Sequence, residues 1–138
     1  MLGHYGQDRW NVFTYGSLMI SFVFQHVTGR CPRSVEATLH HWKRFRVENE
    51  SFPAIIPAHD STVNGIVWIG LTPEELARLD EFEGHFYERV NVDVSDAAGL
   101  RYPAEAYRWS KSDGLIDAPW DLDWFKAVGI KEFSSKYL

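Results

Sequence analysis

The chain has 138 residues, 45% of them hydrophobic, and 14 Lys+Arg against 19 Asp+Glu give a formal net charge of -5 at pH 7. These figures fit a single globular domain over residues 1–138, with a flexible N-terminal extension expected over residues 1–10, and they argue against a disordered or fibrous chain. The densest cationic run, Lys43-Arg44-Phe45-Arg46, is followed by Glu48 and Glu50, so there is no basic stripe to neutralise phosphates and nucleic-acid binding is not expected.

No apolar run reaches the ~18 residues that a membrane helix needs, and the start, MLGHYGQDRW, lacks the apolar core of a signal peptide. No membrane association and a cytoplasmic location are therefore expected. The lone cysteine, Cys31, excludes an internal disulfide framework and reads as a small buried hydrophobe. Aromatics at 15% point to a core or cleft built from large rings.

In chain order, Asn11 to Tyr15 reads as a strand of β-branched and aromatic residues, closed by the turn Gly16-Ser17. Leu18 to Val27 is apolar enough for either a buried helix or a strand, and the helix, capped by Ser17, is the expectation. Val35, Ala37 and Leu39 alternate with polar residues, and this strand continues past a bend at His40-His41 into Trp42 to Val47. Pro53 and Pro57 bracket a short edge segment. Asn64-Gly65 signals a hairpin turn opening the strand Ile66 to Leu71. Thr72-Pro73-Glu74-Glu75 is a capping box with proline in the first turn, predicting a helix from Pro73 to Glu83 that Gly84 stops. Two further strands come next, around Val90 to Val94 and Tyr102 to Trp109, joined by a turn at Ala98-Gly99. The stretch from Asp121 to Tyr137 then carries Leu122, Phe125 and Val128 at helical spacing, interrupted by Gly129. Short strands with two or three flanking helices predict an α+β fold, a small closed or curled mixed β-barrel.

One carboxylate falls where an apolar side chain belongs. On the helix from Pro73 to Glu83, Leu76, Leu79 and Phe82 form the inward stripe, and Glu83 projects between Leu76 and Leu79. Asp80 lies on the flank, whereas Arg78 and Glu81 read as solvated. Desolvation would raise the Glu83 pKa and suit it to general acid/base work; the alternative is a last-turn glutamate that snorkels to solvent. Tyr15-Gly16-Ser17-Leu18 is a strand end turning through glycine, and such a turn either presents backbone amides to an anion or is simply a turn. Tyr87 and Tyr107, on predicted strands near this helix, are candidates to donate hydrogen bonds to a ligand. The six histidines show no metal-ligand spacing, so no metal site is expected.

Asn11 to Met19 (NVFTYGSLM) and Leu79 to Gly84 (LDEFEG), in this order and followed by Tyr87-Glu88-Arg89, make the sequence resemble the gamma-glutamylcyclotransferase superfamily, specifically its AIG2-like branch. Phe52 to Pro57 and Val63 to Val67 are similar to that branch's middle segment. The resemblance implies a barrel with a cleft for a γ-glutamyl group and an acid/base glutamate at Glu83. It also implies substrate contacts from Phe13, Thr14, Tyr15, Gly16, Ser17 and Leu18, and a reaction releasing 5-oxoproline without metal or cofactor. The partner so implied is a small γ-glutamyl compound; Leu18, Met19 and Ile20 are candidates to line the pocket for its leaving group.

Two other readings stand beside the enzyme. One is a non-catalytic domain of the same fold that binds a small carboxylate-bearing metabolite. The other is an interaction module using exposed members of Trp109, Trp120 and Trp124 as anchors.

Overall fold

Five strands whose side chains alternate between two apolar surfaces close into a barrel in the computed structural model, which describes residues 9–138. They are β1 (Trp10–Thr14), β2 (Ser34–Val47), β3 (Pro53–Leu71), β4 (Tyr87–Ser95) and β5 (Arg101–Trp109). Their order is β3-β1-β5-β4-β2, with β2 pairing back onto β3 to complete the ring and the short β6 (Leu115–Ile116) added to β2. β1 runs parallel to β5, and the other neighbours are antiparallel. The mixed barrel and its flanking helices are thus the expected α+β architecture. The extension expected over residues 1–10 lies outside the described residues as far as position 8, and Trp10 opens β1.

Alternation along β1 divides the core in two. Val12 faces outward and packs with Trp68, Leu71, Leu76 and Leu79 beneath the helices. Phe13 and Tyr15 face inward, filling the barrel with Ile55, Val67, Val94 and Ala106. Around this frame lie α1 (Ser21–Thr28), α2 (Pro73–Glu83) and a C-terminal segment in which α3 (Leu122–Trp124) passes through a π-helical turn, Phe125–Gly129, into α4 (Ile130–Tyr137). Among the described residues no helix is long and apolar enough to cross a membrane.

Several local expectations hold. The capping box of α2 is present, with Pro73 in the first turn and Gly84 at its end. The bend in β2 is a register shift between His40 and Trp42, with His41 at φ 71, and a turn at Ala98-Gly99 separates β4 from β5.

Others need correction. Asn64-Gly65 is no turn: both lie inside β3, paired with Thr38 and Ala37, and β2 turns into β3 at Glu48-Asn49, where Asn49 takes φ 64. The glycine serves close approach instead, since a Cβ at Gly65 would stand 2.2 Å from the Thr14 carbonyl oxygen and 2.7 Å from the Phe13 ring. Pro53 to Pro57 is not a short segment but the start of the 19-residue β3. It does have β2 as its single strand neighbour, which is the edge character the prolines announce. Instead of one helix from Leu18, a 3-10 turn over Ser17–Met19 precedes α1, and no side chain caps either, so Ser17 is not a cap. The π turn breaks the helical period, leaving Val128 exposed and burying Gly129.

Because the Gly65 site is bounded by backbone, which cannot move aside, Gly65→Ala is expected to lower the urea midpoint, with a loss of about 3 kcal/mol. Equilibrium unfolding of the two proteins checks this.

Candidate active site

Strand directions decide where the site lies. Because β1 and β5 are parallel and β4 is antiparallel to β5, the C-terminal ends of β1 and β5 and the start of β4 meet at one mouth of the barrel. The end of α2 leads directly to β4 through a 3-10 turn, Gly84–Phe86. Four chain segments far apart in sequence are thereby brought together. The pocket there encloses about 670 Å³ of space, the solvent in its open mouth included.

Every anticipated site residue lines it: Phe13, Thr14, Tyr15, Gly16, Ser17 and Leu18 from the end of β1 and its turn, Glu83 from α2, Tyr87 from β4 and Tyr107 from β5. Phe52, Pro53, Phe82, Phe86, Phe133 and Tyr137 complete the wall. Phe133 and Tyr137 escaped sequence reasoning although their spacing of four on one helix was a signal. Phe133 meets Phe82 edge-on at 6.1 Å, and Tyr137 meets Phe52 edge-on at 5.7 Å. Phe86, 46% exposed, and Tyr137, 42% exposed, stand at the opening. Met19 and Ile20 pack against the core and do not line the pocket; of that trio Leu18 alone does.

The turn after β1 is held by its carbonyls. Tyr15 O accepts from Arg44 Nη1 at 2.6 Å and Leu18 O from Trp68 Nε1 at 3.1 Å. Gly16 O and Ser17 O accept from the amides of Met19 (3.0 Å) and Ile20 (3.1 Å). The amides of Gly16, Ser17 and Leu18, by contrast, donate to no acceptor among the described residues. They are the opening N–H groups of a 3-10 turn, a group of donors suited to an anion or oxyanion. Gly16 has no room for a side chain: a Cβ there would lie 2.8 Å from Pro53 Cδ.

Glu83 owes its place to the anchoring of α2. Thr72 Oγ1 accepts from the Glu75 amide, and Glu75 returns an acceptor to the Thr72 amide. The same carboxylate binds Arg30 through two bonds of 2.7 and 2.8 Å, and Leu76 and Leu79 are buried. Glu83, one turn beyond Leu79, therefore faces the aromatic pocket, where it is half-buried. Desolvation pushes its pKa up to about 8, with the nearby charge of Asp80 adding to the shift. Asp80 itself accepts from the Tyr107 hydroxyl at 2.6 Å and from Arg89 Nε at 3.2 Å. Burial likewise raises the pKa of Tyr15, Tyr87 and Tyr107.

Some side chains behave differently from expectation. Tyr87 and Tyr107 line the pocket, but their hydroxyl protons are committed, to Pro53 O at 2.7 Å and to Asp80; toward a ligand their oxygens are acceptors. Arg78 is not merely solvated, since it donates to Thr28 O at 2.6 Å. Cys31 is exposed, not buried. Trp109 and Trp120, at 4% and 6% exposure, belong to the core and are not exposed anchors, and half-buried Trp124 lies under the Arg46 guanidinium. Among the described residues no three His, Cys, Asp or Glu side chains group as a metal site would require.

Ionising Glu83 costs more in the folded protein than in the unfolded chain. Its contribution to stability is therefore full below about pH 4.5 and is lost as pH rises through about 8. Glu83→Gln is expected to be more stable than the native chain at about pH 9, by on the order of 2 kcal/mol once the pocket's opening to solvent is allowed for, with the difference closing toward pH 5. Paired urea titrations at the two pH values test the sign and the size.

Comparison with known proteins agrees with this architecture. The family model described as gamma-glutamyl cyclotransferase, AIG2-like, matches residues 12–125. AIG2-like protein D of Arabidopsis thaliana is 38% identical over 126 residues, covering 89% of this chain and 83% of its own length. A solution structure of an Arabidopsis thaliana protein superposes with a TM-score of 0.74 at 31% identity, covering 96% of this chain and 91% of that one. A structure described as gamma-glutamyl cyclotransferase superposes with a TM-score of 0.72 at 20% identity over 90% of this chain and 79% of its own, a likeness of fold. With the matched region running from β1 to the π turn and so containing both the Gly16–Leu18 turn and Glu83, the chain belongs to the AIG2-like gamma-glutamyl cyclotransferase family.

Proposed function

We propose that the protein is a gamma-glutamylcyclotransferase, closing a γ-glutamyl amide or dipeptide on itself to release 5-oxoproline and an amine or amino acid. The observation that carries this reading is the pairing, in one pocket, of a desolvated carboxyl group at Glu83 with Gly16, Ser17 and Leu18, whose amides are unengaged among the described residues. A pure binding domain would gain nothing from the desolvation that Glu83 bears.

The chemistry rests on the capability of each group. Glu83, with a pKa near 8, is matched to within a unit or two of an α-ammonium group, so a proton moves between them at little cost. The freed α-amine attacks the γ-carbonyl carbon of the same molecule, forming the ring C–N bond. Charge then develops on the carbonyl oxygen, where the turn amides stabilise it. As the intermediate collapses, the original amide C–N bond breaks and Glu83 returns its proton to the leaving nitrogen. The α-nitrogen loses two protons overall and the leaving nitrogen gains two, so no further reactant is consumed. Attack within one molecule needs chiefly orientation, which a narrow aromatic pocket supplies by holding the substrate folded. Oxygens of Tyr87 and Tyr107 are acceptors for the ammonium group, and Phe13 and Thr14 form the floor beneath the turn. The proposal places the reaction in the cytoplasm, in keeping with a lone cysteine.

The test is 5-oxoproline release, followed by mass spectrometry, from a panel of γ-glutamyl amino acids, γ-glutamylamines and glutathione. Release by the native protein and at least a ~100-fold loss in Glu83→Gln are expected. Binding of γ-glutamyl compounds with no release from any of them would favour the metabolite-binding domain instead. The pH dependence adds a second expectation. kcat/KM rises as Glu83 ionises near pH 8, and in Asp80→Asn, where the like charge is gone, that rise moves to lower pH.

A further inference from the structure

Arg44 lies on β2, opposite Ile55 of β3. Its Nη1 donates to Tyr15 O at 2.6 Å and to Asn64 O at 3.2 Å, and the guanidinium stands 5.4 Å over the Trp120 ring. The Trp120 ring is itself fixed by a 2.7 Å bond from Nε1 to Ser51 O. Among the described residues no carboxylate forms an ion pair with Arg44, although desolvation presses on it enough to lower its pKa. A half-buried cation without an acidic partner is costly to keep. Its hydrogen bonds go to backbone carbonyls, and the shorter one reaches the peptide that precedes Gly16.

We propose that Arg44 is a positioning residue for the Gly16–Leu18 turn: it fixes and polarises the Tyr15–Gly16 peptide so that the Gly16 amide serves as a strong donor to the substrate's negative charge. The peptide unit is planar and trans, so its C=O and N–H point in opposite directions. Pinning Tyr15 O on Arg44 therefore directs the Gly16 N–H the other way. Withdrawal of electron density through the C=O strengthens the N–H as a donor, and the uncompensated charge behind the turn favours an anion in front of it. Packing supplies the other restraint, because Pro53 sits where a side chain on Gly16 would be.

This inference rests on the turn being the anion site of the proposed reaction, and the experiment separates the two. In a 15N–1H spectrum of the protein without ligand, Arg44→Gln, which keeps a donor and loses the charge, is expected to move the Gly16 amide proton upfield. The amides of Gly70 and Gly99 serve as distant controls. Arg44→Lys returns the resonance part of the way, and ethylguanidinium added to Arg44→Ala returns it further. If the native protein turns over γ-glutamyl substrates, kcat/KM falls at least ~10-fold in Arg44→Gln, with partial recovery in Arg44→Lys, while thermal melting identifies any variant that loses its fold. An unchanged Gly16 resonance in a folded Arg44→Gln overturns the proposal, whether or not the native protein is active. Absence of turnover in the native protein together with the expected Gly16 shift sinks the enzyme reading and leaves the role of Arg44 standing.

Discussion

β1 has a strand on each side, antiparallel β3 and parallel β5, and that placement constrains everything else. One of its faces looks into the barrel and the other lies beneath the helices, which is why Val12 and Phe13 are both buried while belonging to different cores. It also requires β3 to come unusually close, and the missing side chain of Gly65 permits it. Being parallel to β5, β1 must leave the barrel at the end where β5 finishes and β4 begins. The turn after β1 is thus delivered to the side of Glu83 by topology, not by local sequence.

Around that meeting point the polar groups are divided by role. Carbonyls are spent on structure, accepting from Arg44, Trp68 and the turn's own later amides. Tyrosine protons are spent on Pro53, Asp80 and, for Tyr15, on Tyr107 O at 2.7 Å. Among the described residues, the backbone donors of the turn and the Glu83 carboxyl group enter no such bond. A rigid frame with its few unfilled valences gathered in one pocket is a common physical basis for preorganised catalysis, since no group has to abandon a partner before it can act.

Legibility from the sequence depended on range. Features set by neighbours within a few residues were readable: the capping box at Thr72, the stop at Gly84, the bend at His41 and the odd position of Glu83 on the α2 stripe. Features set by distant partners were misread by the same rules. Asn64-Gly65 carries a turn signature, yet β1 lying against it makes it a strand. Met19 and Ile20 are apolar neighbours of Leu18 in sequence, yet a 3-10 turn followed by a break sends them into the core. Arg44 looked like part of a charged run, and nothing local ties it to a carbonyl 29 residues away. The fold family was within reach because its two motifs are local, whereas the far wall of the pocket is built by tertiary packing.

That far wall hangs on one irregularity. The π turn at Phe125–Gly129 accommodates an extra residue within an otherwise continuous helix, and each residue added or removed rotates the remainder of the helix by about 100°. Phe133 and Tyr137 face the pocket because of that rotation. Gain or loss of a single codon between α3 and α4 would exchange the whole set of side chains on that wall at once, without touching Glu83 or the turn. Lineages sharing this barrel thus have a route to a new pocket lining through insertion and deletion, in one step where point substitution would take several.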